Sequence, residues 1–121
     1  MVNKMKTDNV IVTKSKAFAL RIINLHKYLC NEKKEYVLSK QLLKSGTSIG
    51  ANVKEGIRAQ SKADFYSKLN IALKEASETE YWLELLFESN YICEVEFNSI
   101  YNDCQELIKI LVAITKSQEN N

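Results

Sequence analysis

The residues whose types and spacing could do chemistry lie between positions 41 and 55. Gln41, Ser48, Asn52 and Glu55 are separated by seven, four and three residues, so on an α-helix their side chains stack along one line. Glu80, in a later segment, could face this line. A carboxylate in such surroundings acts as a general base when burial raises its pKa and a substrate pocket lies beside it. The pattern therefore has two interpretations, an acid–base site or a polar seam between helices.

Catalysis is the weaker of these two interpretations. The chain contains one histidine, His26, and no Ser/His/Asp arrangement that would activate a nucleophile. It has no CxxC or HxxxH spacing, so we expect no metal site, no cofactor and no small-molecule substrate. We expect a protein that is not an enzyme, with five residues in a polar seam that fixes helix register or lines a subunit contact: Gln41, Ser48, Asn52, Glu55 and Glu80.

Cations occupy the opposite side of the same predicted helix. Projected at 100° per residue, Lys40, Lys44, Lys54 and Arg58 fall on one arc that contains no acidic residue. We call these four residues the basic arc. The arc extends over about 27 Å at the helical rise of 1.5 Å per residue, so it could track a phosphate backbone and release counterions on binding RNA or DNA. The plain alternative is an ordinary solvated helix face.

The charges of the whole chain are divided between its two halves. Residues 1–60 contain 12 Lys and Arg against 4 Asp and Glu, whereas residues 61–121 contain 5 against 11. Such a division bears on partners rather than on the fold. It supports nucleic-acid binding, but it also supports self-assembly, because glutamates of the third predicted helix could pair with the basic arc of a neighbouring subunit: Glu75, Glu78, Glu84 and Glu88.

Four amphipathic helices are predicted to position these groups. The chain has 121 residues, no proline and only 3 glycines, which argues against a β-sandwich or barrel with its many turns. Apolar residues recur with a period of 3.6 in four segments. We predict helices over about residues 10–31, 38–59, 62–89 and 95–116, forming one all-α domain (1–121) with the topology of an antiparallel up-and-down four-helix bundle.

Local signals refine this prediction. Ser39 is placed to cap the second helix, and Ser61 with Asp64 to cap the third. Gly46 and Gly50 lie one turn apart inside the second helix. Because they have neither a preceding strand nor a GK[ST] ending, they do not form a phosphate-binding loop. A glycine costs a helix about 1 kcal/mol relative to alanine, so we expect another helix to pack closely there.

The third and fourth predicted helices carry more apolar side chains than one bundle can bury. Extra stripes of this kind usually mark a subunit interface, although a wide core-facing sector would give the same pattern. We therefore expect a homo-oligomer whose interface draws on these residues: Ile71, Tyr81, Trp82, Leu85, Tyr101, Ile108 and Val112.

The sequence also indicates a compartment. Its first 16 residues alternate charged and apolar side chains without an uninterrupted apolar run, so we expect no signal peptide and no membrane anchor. The cysteines Cys30, Cys93 and Cys104 are odd in number and widely spaced, which is typical of reduced packing residues. These features predict a cytoplasmic protein.

One segment resembles a known family. Residues 41–56, QLLKSGTSIGANVKEG, are similar to the QLxxSxxSIxxNIxE signature of four-helix-bundle proteins encoded in 23S rRNA intervening sequences, and the likeness extends over roughly residues 15–115. The resemblance implies an up-and-down bundle that tends to assemble as a homopentamer, and it gives no enzymatic activity to carry over to this chain. More distantly similar are the accessory proteins of diversity-generating retroelements, which bind nucleic acid together with a reverse transcriptase. Those proteins are more uniformly basic than this chain, whose third helix is acidic.

Two functions are therefore expected. In the first, a homo-oligomeric bundle, by resemblance a pentamer, binds RNA or DNA weakly through the basic arc. In the second, the bundle is a protein–protein interaction scaffold with an unidentified partner, and the same charges serve self-assembly.

Overall fold

The structure is a computed structural model that describes the backbone of residues 2–120 and the side chains of residues 10–118. Within this range the chain forms helices and no strand: α1 Val2–Asn31, α2 Leu38–Ile57, α3 Lys62–Glu88, α4 Glu94–Lys116 and a short 3₁₀ helix at Ser117–Asn120. The predicted ends lie within two residues of these bounds, except that α1 begins at Val2 rather than near residue 10. No proline or glycine lies in that first stretch to stop the helix.

Neighbouring helices run antiparallel. Between α2 and α3, Ser45 contacts Thr79 while Glu55 contacts Lys68, so one helix ascends as the other descends. Helix α2 packs against both α1 and α3, and α4 packs against α3 and less extensively against α1. The result is the predicted up-and-down four-helix bundle. Within the described part of the chain, no helix is long and apolar enough to cross a membrane.

The predicted apolar stripes form one core. Its largest fully buried members come from all four helices and include Ile22 of α1, Leu42 of α2, Leu83 of α3 and Leu107 of α4. Each helix buries the face that its 3.6-residue period marks, because apolar surface removed from water stabilises the fold by about 25 cal/mol per Å². This burial fixes the rotation of every helix and therefore decides which side chains face solvent.

A polar pair lies inside this core. The hydroxyls of Ser45 and Thr79 are fully or almost fully buried and lie 2.9 Å apart. The Thr79 hydroxyl also lies 2.8 Å from the carbonyl oxygen of Glu75, so neither oxygen lacks a partner. A buried polar contact of this kind sets the register of two helices, since a shift by one turn would separate the hydroxyls.

The start of α2 is capped by Glu35 and not, as predicted, by Ser39. The Glu35 carboxylate accepts hydrogen bonds from the backbone N–H groups of Val37 at 3.4 Å, Leu38 at 3.2 Å and Ser39 at 2.8 Å. Ser39 is fully buried, and its hydroxyl donates to the carbonyl oxygen of Glu35 at 2.6 Å. The Ser39 prediction was wrong because the burial that starts the apolar stripe turns this side chain back into the core.

The cap predicted for α3 is confirmed. The Ser61 hydroxyl accepts a hydrogen bond from the backbone N–H of Asp64 at 3.1 Å, which satisfies one of the free donors of the first turn. The Asp64 carboxylate lies in that same turn, where a negative charge complements the helix dipole.

We expect Glu35→Ala to lower the free energy of unfolding by about 1–2 kcal/mol, the usual cost of removing a helix cap. The loss arises because three backbone N–H groups at the start of α2 lose their shared acceptor. Urea denaturation followed by circular dichroism measures it. Glu32→Ala is the matched control, since Glu32 is exposed in the same link and should change stability by less than about 0.5 kcal/mol. Equal effects of the two substitutions would contradict the capping role of Glu35.

Candidate nucleic-acid interface

The basic arc lies on the solvent side of α2. Burial of Leu42, Ile49 and Val53 orients this helix, and the side chains opposite them point away from the core. All four cations of the arc are exposed: Lys40, Lys44, Lys54 and Arg58. Lys40, Lys44 and Lys54 lie on α2 itself, whereas Arg58 is its C-cap. The arc therefore runs from the first turn of α2 to the residue that follows its end.

The cations of α1 are used differently. Lys14 pairs with Glu106 of α4 at 3.0 Å, and Arg21 pairs with Glu96 at 3.2 Å and with Asp103 at 2.8 Å. No such ion pair involves the basic arc anywhere among the side chains of residues 10–118. Some positive charge of the first half of the chain is therefore paired with acidic residues of the second half, between α1 and α4. The arc remains available to a partner.

Among the residues of the arc, Lys44 acts electrostatically on a glutamate of the acidic helix α3. Burial and the neighbouring Glu78 raise the pKa of Glu75 on α3, while the positive charge of Lys44 acts to lower it. At 100° per residue, Lys44 lies on the flank of the arc nearest Ser48 and Glu55, and Lys40 and Lys54 lie further round α2.

The predicted polar line runs along the edge of α2 that meets α3. The Ser48 hydroxyl donates to the carbonyl oxygen of Lys44 at 2.6 Å, and the Asn52 amide donates to the carbonyl oxygen of Ser48 at 2.9 Å. Both hydrogen bonds return to the backbone of α2 itself. Glu55 pairs with Lys68 of α3 at 3.2 Å, whereas Gln41 is exposed at the other end of the line.

Glu80 does not face this line. Its carboxylate accepts a hydrogen bond of 2.6 Å from the amide of Gln105 on α4, so it lies on the flank of α3 away from α2. The helical period placed Glu80 beside the core but did not distinguish the two flanks of the core face. Glu55 is exposed, with 61% of its side-chain surface accessible, and ion-paired. The two carboxylates therefore do not share a site.

A groove that the sequence pattern did not reveal extends the basic arc at one end. It lies where α2 passes into α3, has a volume of about 600 Å³, and is lined by Lys54, Glu55, Arg58 and Lys68 among others. The groove forms because the turn at residues 58–61 separates the two helix ends. Two cations of the arc therefore stand beside a concave surface that also carries the carboxylates of Glu55 and Asp64.

The other face of α3 holds a second cluster, around Glu80 and Glu84. The Tyr101 hydroxyl donates to the Glu84 carboxylate at 2.6 Å, and this hydrogen bond is the main cause of a raised pKa for Tyr101. The Cys104 thiol is fully buried and donates to the carbonyl oxygen of Ala76 at 3.4 Å. Burial, followed by the negative charge of Glu80, raises the pKa of Cys104 from 9.0 to about 12. The cluster joins α3 to α4 and lies apart from the basic arc.

The raised pKa of Cys104 predicts a loss of stability at alkaline pH. The folded state holds the thiol proton more tightly than the unfolded state. The protonated thiol therefore contributes fully to the free energy of unfolding below pH 9, and this contribution is lost between pH 9 and 12. By pH 10 the loss amounts to about 1 kcal/mol, the value of roughly one pKa unit. Chemical denaturation at pH 8 and pH 10 should show a smaller decrease for Cys104→Val than for the wild type. Cys93→Val is the control, because Cys93 is exposed. Equal decreases in the wild type and in Cys104→Val would contradict the prediction.

Comparison with known proteins relates this fold to others. The family model described as 23S rRNA-intervening sequence protein matches residues 7–113. Among solved structures, the chain is similar to a protein of unknown function from the S23 ribosomal protein family of Bacteroides thetaiotaomicron VPI-5482. The two share 60% sequence identity with a TM-score of 0.89, over 91% of this chain and 98% of the other. No curated protein matches the chain significantly. The chain therefore belongs to the 23S rRNA-intervening sequence protein family.

Proposed function

We propose that this protein is a non-enzymatic homo-oligomer that binds RNA or DNA weakly, with little sequence preference, through the basic arc. The observation that carries the proposal is the arc itself: its four cations are exposed along α2 and at its C-cap, and none forms an ion pair within the described residues. Cations so placed contact phosphates and release the counterions around them, and this gain does not depend on base sequence.

Assembly would strengthen this binding. Ile71, Tyr81 and Val112, which the sequence assigns to a subunit interface, have 39%, 54% and 42% of their surface exposed in the isolated chain. Their exposure supports an interface with further copies. A homopentameric ring, as the family resemblance implies, would repeat the basic arc and raise the overall affinity for one long nucleic acid, because every contact after the first is intramolecular.

The proposal is tested by fluorescence anisotropy with a labelled structured RNA and a DNA duplex at low and at raised ionic strength. We expect binding at low salt that weakens steeply as salt is added, with similar affinities for unrelated sequences. Light scattering after gel filtration gives the number of subunits in the same buffers. Absence of binding at low salt would contradict the nucleic-acid proposal, and a monomer would contradict the assembly.

A second candidate function is a protein–protein interaction scaffold. It is favoured by the opposite charges of the exposed basic arc and of exposed glutamates on α3, such as Glu78 and Glu88. In a scaffold the same charges would join neighbouring subunits. Raising the ionic strength would then dissociate the oligomer, and nucleic acid would leave its mass unchanged.

A further inference from the structure

A cavity at one end of the bundle lies outside the basic arc. It has a volume of about 760 Å³ and is bounded by the C-terminal half of α1, by Lys33 of the link that follows, and by the link between α3 and α4. Leu25 and Ile92, which are 5% and 6% exposed, contribute the apolar part of its wall. Small-molecule sites in proteins usually have volumes of about 300–1,000 Å³ and combine an apolar wall with a few polar groups.

Several polar side chains that line this cavity have no polar partner within the described part of the chain. In the described part of the chain, five lining residues form no hydrogen bond or ion pair through their side chains: Asn24, Tyr28, Lys33, Asn90 and Tyr91. Arg21 and Glu96, also in the lining, pair with each other at 3.2 Å. The one unpaired charge of the lining is therefore the ammonium group of Lys33. Two tyrosine rings and two side-chain amides complete the set.

We propose that this cavity binds an unpaired nucleotide, with the base against the rings of Tyr28 and Tyr91 and the phosphate at Lys33. Aromatic rings stack on the faces of bases, and amide groups donate to and accept from base edges. A lysine supplies the compact positive charge that a phosphate requires. Tyr91 is half-buried and packs against the hydrophobic core, so its ring has little freedom to move before a ligand arrives.

The position of the cavity relates it to the basic arc. In an antiparallel bundle the end of α1, the start of α2, the end of α3 and the start of α4 share one end of the molecule, and the cavity lies there. Lys33 belongs to the α1–α2 link, and Lys40 belongs to the first turn of α2. The basic arc and the cavity therefore reach the same end of the bundle. This inference rests on the proposed function and adds to it a preference for single-stranded segments.

Cys93 offers a direct probe, because this exposed thiol lines the cavity. Its rate of alkylation by iodoacetamide is measured by peptide mass spectrometry with and without adenosine 5′-monophosphate. We expect the nucleotide to slow alkylation of Cys93 several-fold and to leave the rate at half-buried Cys30 unchanged. An unchanged rate at Cys93 under saturating nucleotide would overturn the inference.

Substitutions at Tyr28 test whether its ring stacks on the base, separately from any effect of the substitution on folding. Tyr28 is 42% exposed, so Tyr28→Ala should fold, which circular dichroism verifies. We expect this variant to bind the nucleotide at least about five-fold more weakly, as removal of a stacking ring does, whereas Tyr28→Phe keeps the wild-type affinity. Tyr36→Ala is the matched control, since Tyr36 is exposed in the α1–α2 link and does not line the cavity. Equal affinities of all these variants would count against the site.

The outcome also distinguishes this inference from the proposed function. If duplex and single-stranded RNA bind equally well and the mononucleotide does not protect Cys93, the cavity proposal fails while the basic arc stands. If the mononucleotide protects Cys93 but no RNA binds at low salt, the arc proposal fails while the cavity binds a free nucleotide.

Discussion

Replacing the four cations of the basic arc by alanine is expected to weaken binding of structured RNA about 100-fold or more at low salt. The variant carries four substitutions, three on the exposed side of α2 and one at its C-cap: Lys40→Ala, Lys44→Ala, Lys54→Ala and Arg58→Ala. Each removes one positive charge near the phosphates, and with it the counterions that binding would release. In a ring the loss is repeated in every subunit, so the total effect exceeds that of one chain. Fluorescence anisotropy at low salt measures it.

A matched variant controls for net charge. Lys62, Lys74, Lys109 and Lys116 are also exposed, but they lie on α3 and α4. Replacing these four by alanine lowers the net charge of the chain by the same amount as the arc variant. We expect it to bind RNA nearly as well as the wild type, and both variants to unfold within about 0.5 kcal/mol per site of the wild type. Equal loss of binding in the two variants would show that overall charge, and not the arc, controls affinity.

Gly46→Ala and Gly50→Ala are expected to change stability in opposite directions. A Cβ at Gly46 would lie 2.8 Å and 2.9 Å from the two γ carbons of Ile22 on α1. Ile22 is fully buried and branched at Cβ, so it cannot rotate away cheaply. Overpacking of this kind costs about 1–3 kcal/mol, and it outweighs the gain in helix propensity. Gly46→Leu should be tolerated still less well.

Gly50 is the natural comparison within the same helix. A Cβ there would lie 3.4 Å from the backbone oxygen of Ser15, which is an ordinary contact. Gly50→Ala should therefore gain up to about 1 kcal/mol from the higher helix propensity of alanine. Urea denaturation measures both variants. In a double-mutant cycle, Ile22→Ala should remove most of the cost of Gly46→Ala. Stabilisation by both glycine substitutions would contradict close packing of α1 on α2 at Gly46.

The helices follow from the sequence because each buries one continuous apolar stripe. The stripes through Phe65 and Leu83 on α3, and through Ile100 and Leu111 on α4, lie in the core as their period predicts. The same period places the basic arc in solvent, because a side opposite a buried stripe is exposed. Close packing beside Gly46 was also predictable, since a glycine inside a helix otherwise costs stability without return.

Which neighbour a side chain meets could not be predicted in the same way. A helical projection separates core from solvent but does not show which neighbouring helix lies on each flank of the core face. Glu80 was therefore expected to be able to face α2, although its carboxylate accepts a hydrogen bond from Gln105 of α4. The cap of α2 was missed for a related reason. Glu35 lies in a link whose other charged side chains are exposed, and only its three hydrogen bonds to backbone N–H groups show its role.

The division of charge between the halves of the chain has two separate uses in the folded bundle. Lys14 and Arg21 of α1 pair with acidic residues of α4, so these cations hold helices together. The basic arc of α2 has no such pairs within residues 10–118, apart from the longer-range attraction of Lys44 to Glu75. Four of the 12 Lys and Arg residues of the first half therefore lie unpaired on one exposed face, while other exposed lysines of that half, among them Lys16 and Lys27, lie on α1.

The salt dependence of RNA binding tests most directly whether that face is the interface. The logarithm of the association constant is plotted against the logarithm of the salt concentration for the wild type and for the arc variant. Each phosphate contact contributes about 0.7–0.9 to the slope, so we predict that the slope of the arc variant is shallower by about 3 for each bound subunit. Equal slopes for the two proteins would show that the cations of α2 do not contact the nucleic acid, and would contradict the proposed function.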